Sequence, residues 1–186
     1  MKVIYLIRHA KSDWNNPLLT DFERPLNKRG LQDAPFMAKK LAELDFNPSL
    51  IVCSPAQRTT STAELIAPKT SILFENSIYE ASLNNLTHLI NLLPNEHNQI
   101  ALIGHNPSIT SLSNYLTDDF IGNMPTCCII KIELEIDTWK EITQGIGIQQ
   151  FFIYPKLLFK TVLYIKTFFV TLLWVCRYNK YTHLLL

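Results

Sequence analysis

Lys2-Val3-Ile4-Tyr5-Leu6-Ile7-Arg8-His9 is the stretch that decides the fold. Val3 to Ile7 are apolar without a break, and the run stops at Arg8. So short a run, closed by charge, suits a strand buried on both faces and is too short for a secretory signal. Strands buried on both faces belong to parallel sheets with helices on either side. The chain repeats the pattern outward from there. Residues 50–53, 71–74 and 99–103 read as further strands. Between them, helical spacing covers residues 28–44 (Leu31, Ala34, Met37, Leu41, Leu44), 54–66, 82–93 (Leu83, Leu86, Leu89, Ile90, Leu93) and 107–116. Pro35 implies either a kink or a new helix capped by Asp33. Residues 129–136 alternate Ile130, Ile132, Leu134 and Ile136 with Lys131, Glu133 and Glu135, a half-exposed strand expected at a sheet edge, with 139–142 pairing to it across Asp137. The expected architecture is an α/β three-layer sandwich: a mostly parallel sheet, helices on both faces and an antiparallel edge.

Composition bounds the rest. The 186 residues are 47% apolar and 18% charged, which suits one folded domain and not disorder. The net charge of +1 hides an asymmetry. Residues 156–186 carry five bases (Lys156, Lys160, Lys166, Arg177, Lys180) and no acid, leaving twelve bases and sixteen acids before them. A mildly acidic body without a basic stripe argues against nucleic acid as a partner. Cys53, Cys127, Cys128 and Cys176 have no metal-ligand spacing and read as reduced, mostly buried thiols of a cytoplasmic protein.

The carboxyl ends of parallel strands are where such sheets bind ligands. Arg8-His9 follows the first strand, Ser54 to Arg58 the second, Glu80 the third and Gly104-His105-Asn106 the fourth. These residue types suit phosphoryl transfer without a metal. A neutral imidazole, His9, is a nucleophile at pH 7, and neighbouring guanidinium groups keep it neutral. Arg8 and Arg58 supply those groups and grip phosphate oxygens bidentately. His105 and Asn106 can donate further hydrogen bonds, and the helix opening after Pro107 adds free N–H groups.

Four segments carry a family resemblance: Arg8-His9-Ala10-Lys11-Ser12-Asp13-Trp14, Asp21 through Arg24-Pro25-Leu26-Asn27 to Gly30, Ser54-Pro55-Ala56-Gln57-Arg58-Thr59, and Gly104-His105-Asn106-Pro107. In order and spacing they resemble the histidine phosphatase (phosphoglycerate mutase-like) superfamily, above all its small SixA-type phosphohistidine phosphatases. The resemblance spans residues 1–156. It implies a phosphoglycerate mutase-like fold and His9 as phosphoacceptor, with Arg8, Arg58 and His105 completing the phosphate pocket and Ser12 or Asn27 as lesser contacts. Larger relatives place a general acid near the position of Glu80; the other reading of Glu80 is an acid favoured at a helix start by the dipole. No cofactor is implied.

Only 46 residues separate Arg58 from His105, too few for an insertion roofing a small substrate. An open pocket suits a phosphoryl group on a protein surface, and the resemblance implies a phosphorylated protein of the histidine-phosphotransfer or phosphotransferase-system type, with a small phosphomonoester as the alternative and a non-catalytic phosphate-recognition module as a further one. A metal site built from His9, His88, His97 and His105 lacks ligand spacing. Residues 157–186 depart from the family pattern. Ten uncharged residues from Thr167 to Cys176 are short of a span. That tail reads as an interfacial helix contacting a membrane, a core or dimer helix, or an extension from a changed reading frame.

Overall fold

The central strand, β1 (Lys2–Arg8), is buried along nearly all its length because both its neighbours and both its faces are covered. The computed structural model describes residues 1–159. Six strands form one sheet in the order β3-β2-β4-β1-β5-β6, with β2 Leu50–Cys53, β3 Ile72–Phe74, β4 Gln99–Gly104, β5 Ile129–Leu134 and β6 Gly147–Ile153. β1, β2, β3 and β4 run parallel, whereas β5 pairs antiparallel with both β1 and β6. The sheet is thus mostly parallel with an antiparallel margin, as the strand–helix alternation requires.

Helices α1 (Lys28–Ala42), α2 (Gln57–Ile66), α3 (Leu83–Asn91) and α4 (Ser108–Thr117) cover it. Ile4 and Leu6, Val52, Leu102 and Ile132 point to one face, where they join Leu86 and Ile90 of α3, Ile109, Leu112 and Leu116 of α4, and fully buried Trp139. The alternate residues, such as Tyr5, Ile51 and Ala101, are equally buried on the other face, the side of α1 and α2. Lys2 is buried too, and its ammonium is satisfied by the Asn95 carbonyl at 2.6 Å and Asn98 Oδ1 at 2.8 Å. Met1–Tyr154 form one compact unit; of the second unit, Pro155–Leu186, residues 155–159 are helical. The expectations placed on residues 160–186 lie outside the described residues. Among the described residues, no helix is long and apolar enough to cross a membrane.

Three local expectations are corrected. No new helix starts at Pro35: α1 runs through it, as one of the two readings allowed, and is capped by Asn27, whose side chain accepts from Gly30 N at 3.0 Å. Asp33 is no cap: it lies buried and pairs with Arg29 one turn back at 3.4 Å. The buried stripe of α1 includes Ala34, Met37 and Leu41, while Leu31 and Leu44 are exposed. β5 is not the edge strand, because β6 covers it. Its alternation reports one solvated face, where Lys131 pairs with Glu133 at 2.7 Å, and not an open edge. Residues 139–141 do not pair with β5; they form a 3₁₀ turn that buries Trp139, whose indole N–H donates to the His97 carbonyl at 2.9 Å.

Gly30 is required by close approach. A Cβ there would meet the Lys11 carbonyl oxygen at 2.3 Å, and that carbonyl also accepts from Asn27 N at 2.9 Å. The first turn of α1 is therefore pressed against the chain two residues beyond His9. Gly30→Ala should destabilise the fold by about 1–3 kcal/mol through overpacking. Gly122→Ala, where a Cβ meets nothing nearer than 4.0 Å, should leave the thermal midpoint unchanged. Equal midpoints for the two variants would contradict the assignment.

Candidate active site

Parallel pairing of β1 and β4 aligns Arg8 with Gly104, so the residues that follow, His9 and His105, leave the sheet side by side. His9 N donates to the Gly104 carbonyl at 3.2 Å, and the two imidazole centroids lie 5.2 Å apart. β2 ends beside β4, with Ser54 N bonded to the Ile103 carbonyl at 3.1 Å. Pro55 then breaks the strand, and α2 begins with Arg58 in its first turn, aimed back at the histidines. Thr62 fastens the assembly: its hydroxyl donates to the Arg58 carbonyl at 2.6 Å and accepts from Ala10 N at 3.0 Å.

Hydrogen bonds fix both tautomers. His9 Nδ1 lies 2.7 Å from the Ala10 carbonyl, which can only accept, so Nδ1 carries the proton and Nε2 keeps its lone pair. His105 Nδ1 accepts from Arg58 Nη2 at 3.1 Å, so Nε2 carries the proton and donates to Ser54 Oγ at 2.9 Å. Burial pushes the His9 pKa down to about 4; the Ala10 carbonyl opposes this, and the Arg58 and Arg8 charges add to it. His105 is pushed down to about 3, again by burial first, then by Arg58. The arginine charges named from sequence thus act in the expected direction, but desolvation is the larger cause.

Arg8 donates from Nη1 to the Met124 carbonyl at 2.6 Å, while its buried Nε has no hydrogen-bond partner. Both amide protons of Asn106 are engaged, by Asn123 Oδ1 and the Met124 carbonyl, so Asn106 anchors the loop that also holds Arg8. Ser12 is buried and accepts from the Trp14 indole N–H at 3.1 Å, and Asn27 is occupied in capping α1. Glu80 is exposed, in a left-handed backbone conformation (φ 54°), and makes no hydrogen bond to this group. The structure therefore brings together His9, Arg8, Arg58 and His105, with Asn106 behind them. It leaves Ser12 and Asn27 in supporting contacts and Glu80 at the rim. Of the other histidines, His97 bonds Ser49 at 2.9 Å, and among the described residues no three His, Cys, Asp or Glu side chains gather as a metal cage.

Two further residues shape the site. Asp21 Oδ2 accepts from Arg58 Nη2 at 2.8 Å and from the Tyr79 hydroxyl at 3.0 Å, and its backbone carbonyl accepts from Arg58 Nη1. The Tyr79 ring stands edge-on to His105, centroids 5.5 Å apart, and to Phe22 at 5.0 Å. Asp21 lay within a motif, but its contact with Arg58 spans 37 positions and nothing in the spacing announces it. Tyr79 carries no signal beyond adjacency to Glu80.

Residues 4–91 match the sequence model of the histidine phosphatase superfamily (branch 1). An uncharacterised chloroplastic protein of Arabidopsis thaliana is 29% identical over 151 residues, covering 74% of this chain and 69% of its own length. A candidate phosphohistidine phosphatase SixA of Agrobacterium tumefaciens has the same fold at 24% identity, with a TM-score of 0.70 over 83% of this chain and 98% of that one. A phosphoserine phosphatase mutant of Entamoeba histolytica, solved with phosphoserine, superposes with a TM-score of 0.60 at 16% identity over 82% of this chain and 96% of that one. The matched segment contains the Arg8-His9 and Ser54-to-Arg58 strand ends, the fold brings Gly104-His105 beside them, and over residues 4–91 the chain is similar to the histidine phosphatase superfamily.

Proposed function

We propose that the protein is a metal-independent phosphatase that passes the phosphoryl group through His9 and acts on phosphohistidine in a protein substrate. One observation carries the first half: a buried imidazole, neutral at pH 7, whose Nδ1 proton is committed to the Ala10 carbonyl, leaving the Nε2 lone pair among two guanidinium groups and a second imidazole. In the first step Nε2 attacks phosphorus as the bond to the leaving group breaks. Arg8, through its unpartnered Nε, and Arg58 neutralise the equatorial oxygens, with His105 beside them. In the second step water attacks phosphorus and the P–N bond to His9 breaks, releasing phosphate.

The leaving group supports the second half. Phosphohistidine expels an imidazole, which takes up a proton near neutral pH without a strong acid. Glu80, exposed and outside the hydrogen-bonded group, is poorly placed as an acid, which matters far more for an alkoxide leaving group. Likeness of fold to the Agrobacterium SixA protein agrees with this reading. The likeness to a phosphoserine phosphatase favours a second reading, a small phosphomonoester.

Turnover on a phosphohistidine-bearing phosphotransfer domain should persist in EDTA and be abolished in His9→Ala; Arg58→Ala should lose about 10²–10³ in kcat. Loss of wild-type turnover to the chelator would defeat the metal-free mechanism. On the same preparation, kcat/KM for the phosphohistidine protein should exceed that for free phosphoserine by about tenfold or more; equal values would move the assignment to a general monoesterase. Imidazole NMR titration should find His9 and His105 with midpoints near 4 and 3, both neutral at pH 7 because burial destabilises the imidazolium. A His9 midpoint near the ordinary 6.5 would mean that burial is not what keeps the imidazole neutral.

A further inference from the structure

The Asp21 carboxylate stands between two guanidinium groups of unequal fortune. Its Oδ2 is bonded to Arg58 Nη2 at 2.8 Å, while its Oδ1 lies 3.9 Å from Arg24 Nε, beyond hydrogen-bond distance. Arg24 sits over the Trp14 indole, its central guanidinium carbon 3.6 Å from the ring centre. Its Nε and Nη1 are buried with no hydrogen-bond partner. The Trp14 N–H is tied to buried Ser12, so the stack that holds Arg24 is itself anchored.

Both features carry a cost. A buried donor without an acceptor forfeits its hydration for nothing. A carboxylate on Arg58 competes with, and repels, any phosphoryl dianion that needs the same guanidinium. A single movement eases both, at the cost of the Tyr79 hydrogen bond to Oδ2. Turned toward Arg24, the Asp21 carboxylate would make the bond that Arg24 Nε lacks, and Arg58 Nη2 would be released toward the phosphoryl oxygens.

We propose that Asp21 is a built-in stand-in for the phosphoryl group, handed from Arg58 to Arg24 when phosphate enters. In this arrangement Asp21 and Arg24 are positioning residues: neither touches the reacting atoms, and Arg24 acts on phosphate only through Asp21. The handover rests on the phosphate pocket proposed above. It adds a determinant of affinity that lies in the 12–24 loop and not at the strand ends.

The test is a double-mutant cycle read by calorimetric binding of inorganic phosphate to the full chain at one pH. Asp21→Asn should bind phosphate about tenfold more tightly than wild type, because the competing charge is gone, and Arg24→Gln should bind it about tenfold more weakly, because Asp21 has no second partner. In the Asp21→Asn background, Arg24→Gln should have no effect. Arg24→Lys, which keeps the charge, should restore most of the affinity, a rescue that loss of packing against Trp14 alone would not give. Arg24→Met, which keeps an apolar stem over Trp14 but no charge, stands in for Arg24→Gln in the cycle if that variant does not fold. An equal loss in both backgrounds would mean that Arg24 meets phosphate directly or serves only the fold, and would overturn the handover. So would Asp21→Asn binding no tighter than wild type. Failure of the wild type to bind phosphate at all would overturn the pocket itself, and the handover with it.

Discussion

The parallel ladder between β1 and β4 is the constraint on which the rest of the molecule depends. Its register sets Arg8 against Gly104, so two histidines that are far apart in the chain emerge at one height, joined by a backbone bond from His9 to Gly104. A shift of one residue in either strand would turn every side chain to the opposite face. That shift is opposed along the whole ladder, because Ile4, Leu6, Ile100 and Leu102 are fully buried on one side and Tyr5, Ile7, Ala101 and Ile103 on the other. The site inherits its precision from a core that has no second way to pack.

Electrostatics at the site follow from the same burial. His9 and His105 are both largely withdrawn from water, and desolvation does more than the neighbouring arginines to keep them neutral. The guanidinium groups are left to meet anions. Arg58 meets one already, since burial disfavours the charge of Asp21 but the Tyr79 and Arg58 hydrogen bonds outweigh it and hold that carboxyl below its ordinary pKa. The cluster of histidines and arginines therefore carries its own negative charge.

Much of this was legible in the sequence where one residue's environment repeats along an element. The continuous apolar runs gave the parallel strands, and the strand ends gave His9, Arg8, Arg58 and His105. Legibility ended where partners meet through space. Alternation in 129–134 told which face of β5 is wet but not that β6, a strand thirteen residues further on, would cover its side. Trp139 sat in a segment with strand character, yet its volume and its indole donor place it in the core beneath α3 and α4. Asp21 and Tyr79 reach the centre from loops, where no periodicity exists to betray a direction. Ser12 and Asn27 belong to the motif, but their hydrogen bonds go to Trp14 and to the start of α1.

The Thr62 hydroxyl joins the two segments that carry His9 and Arg58. It grips the amide of Ala10, whose carbonyl orients His9, and it is bonded in turn to the carbonyl of Arg58. His9 and Arg58 are thereby coupled through one oxygen atom. Loss of the Thr62 hydroxyl would therefore free the positions of both side chains at once.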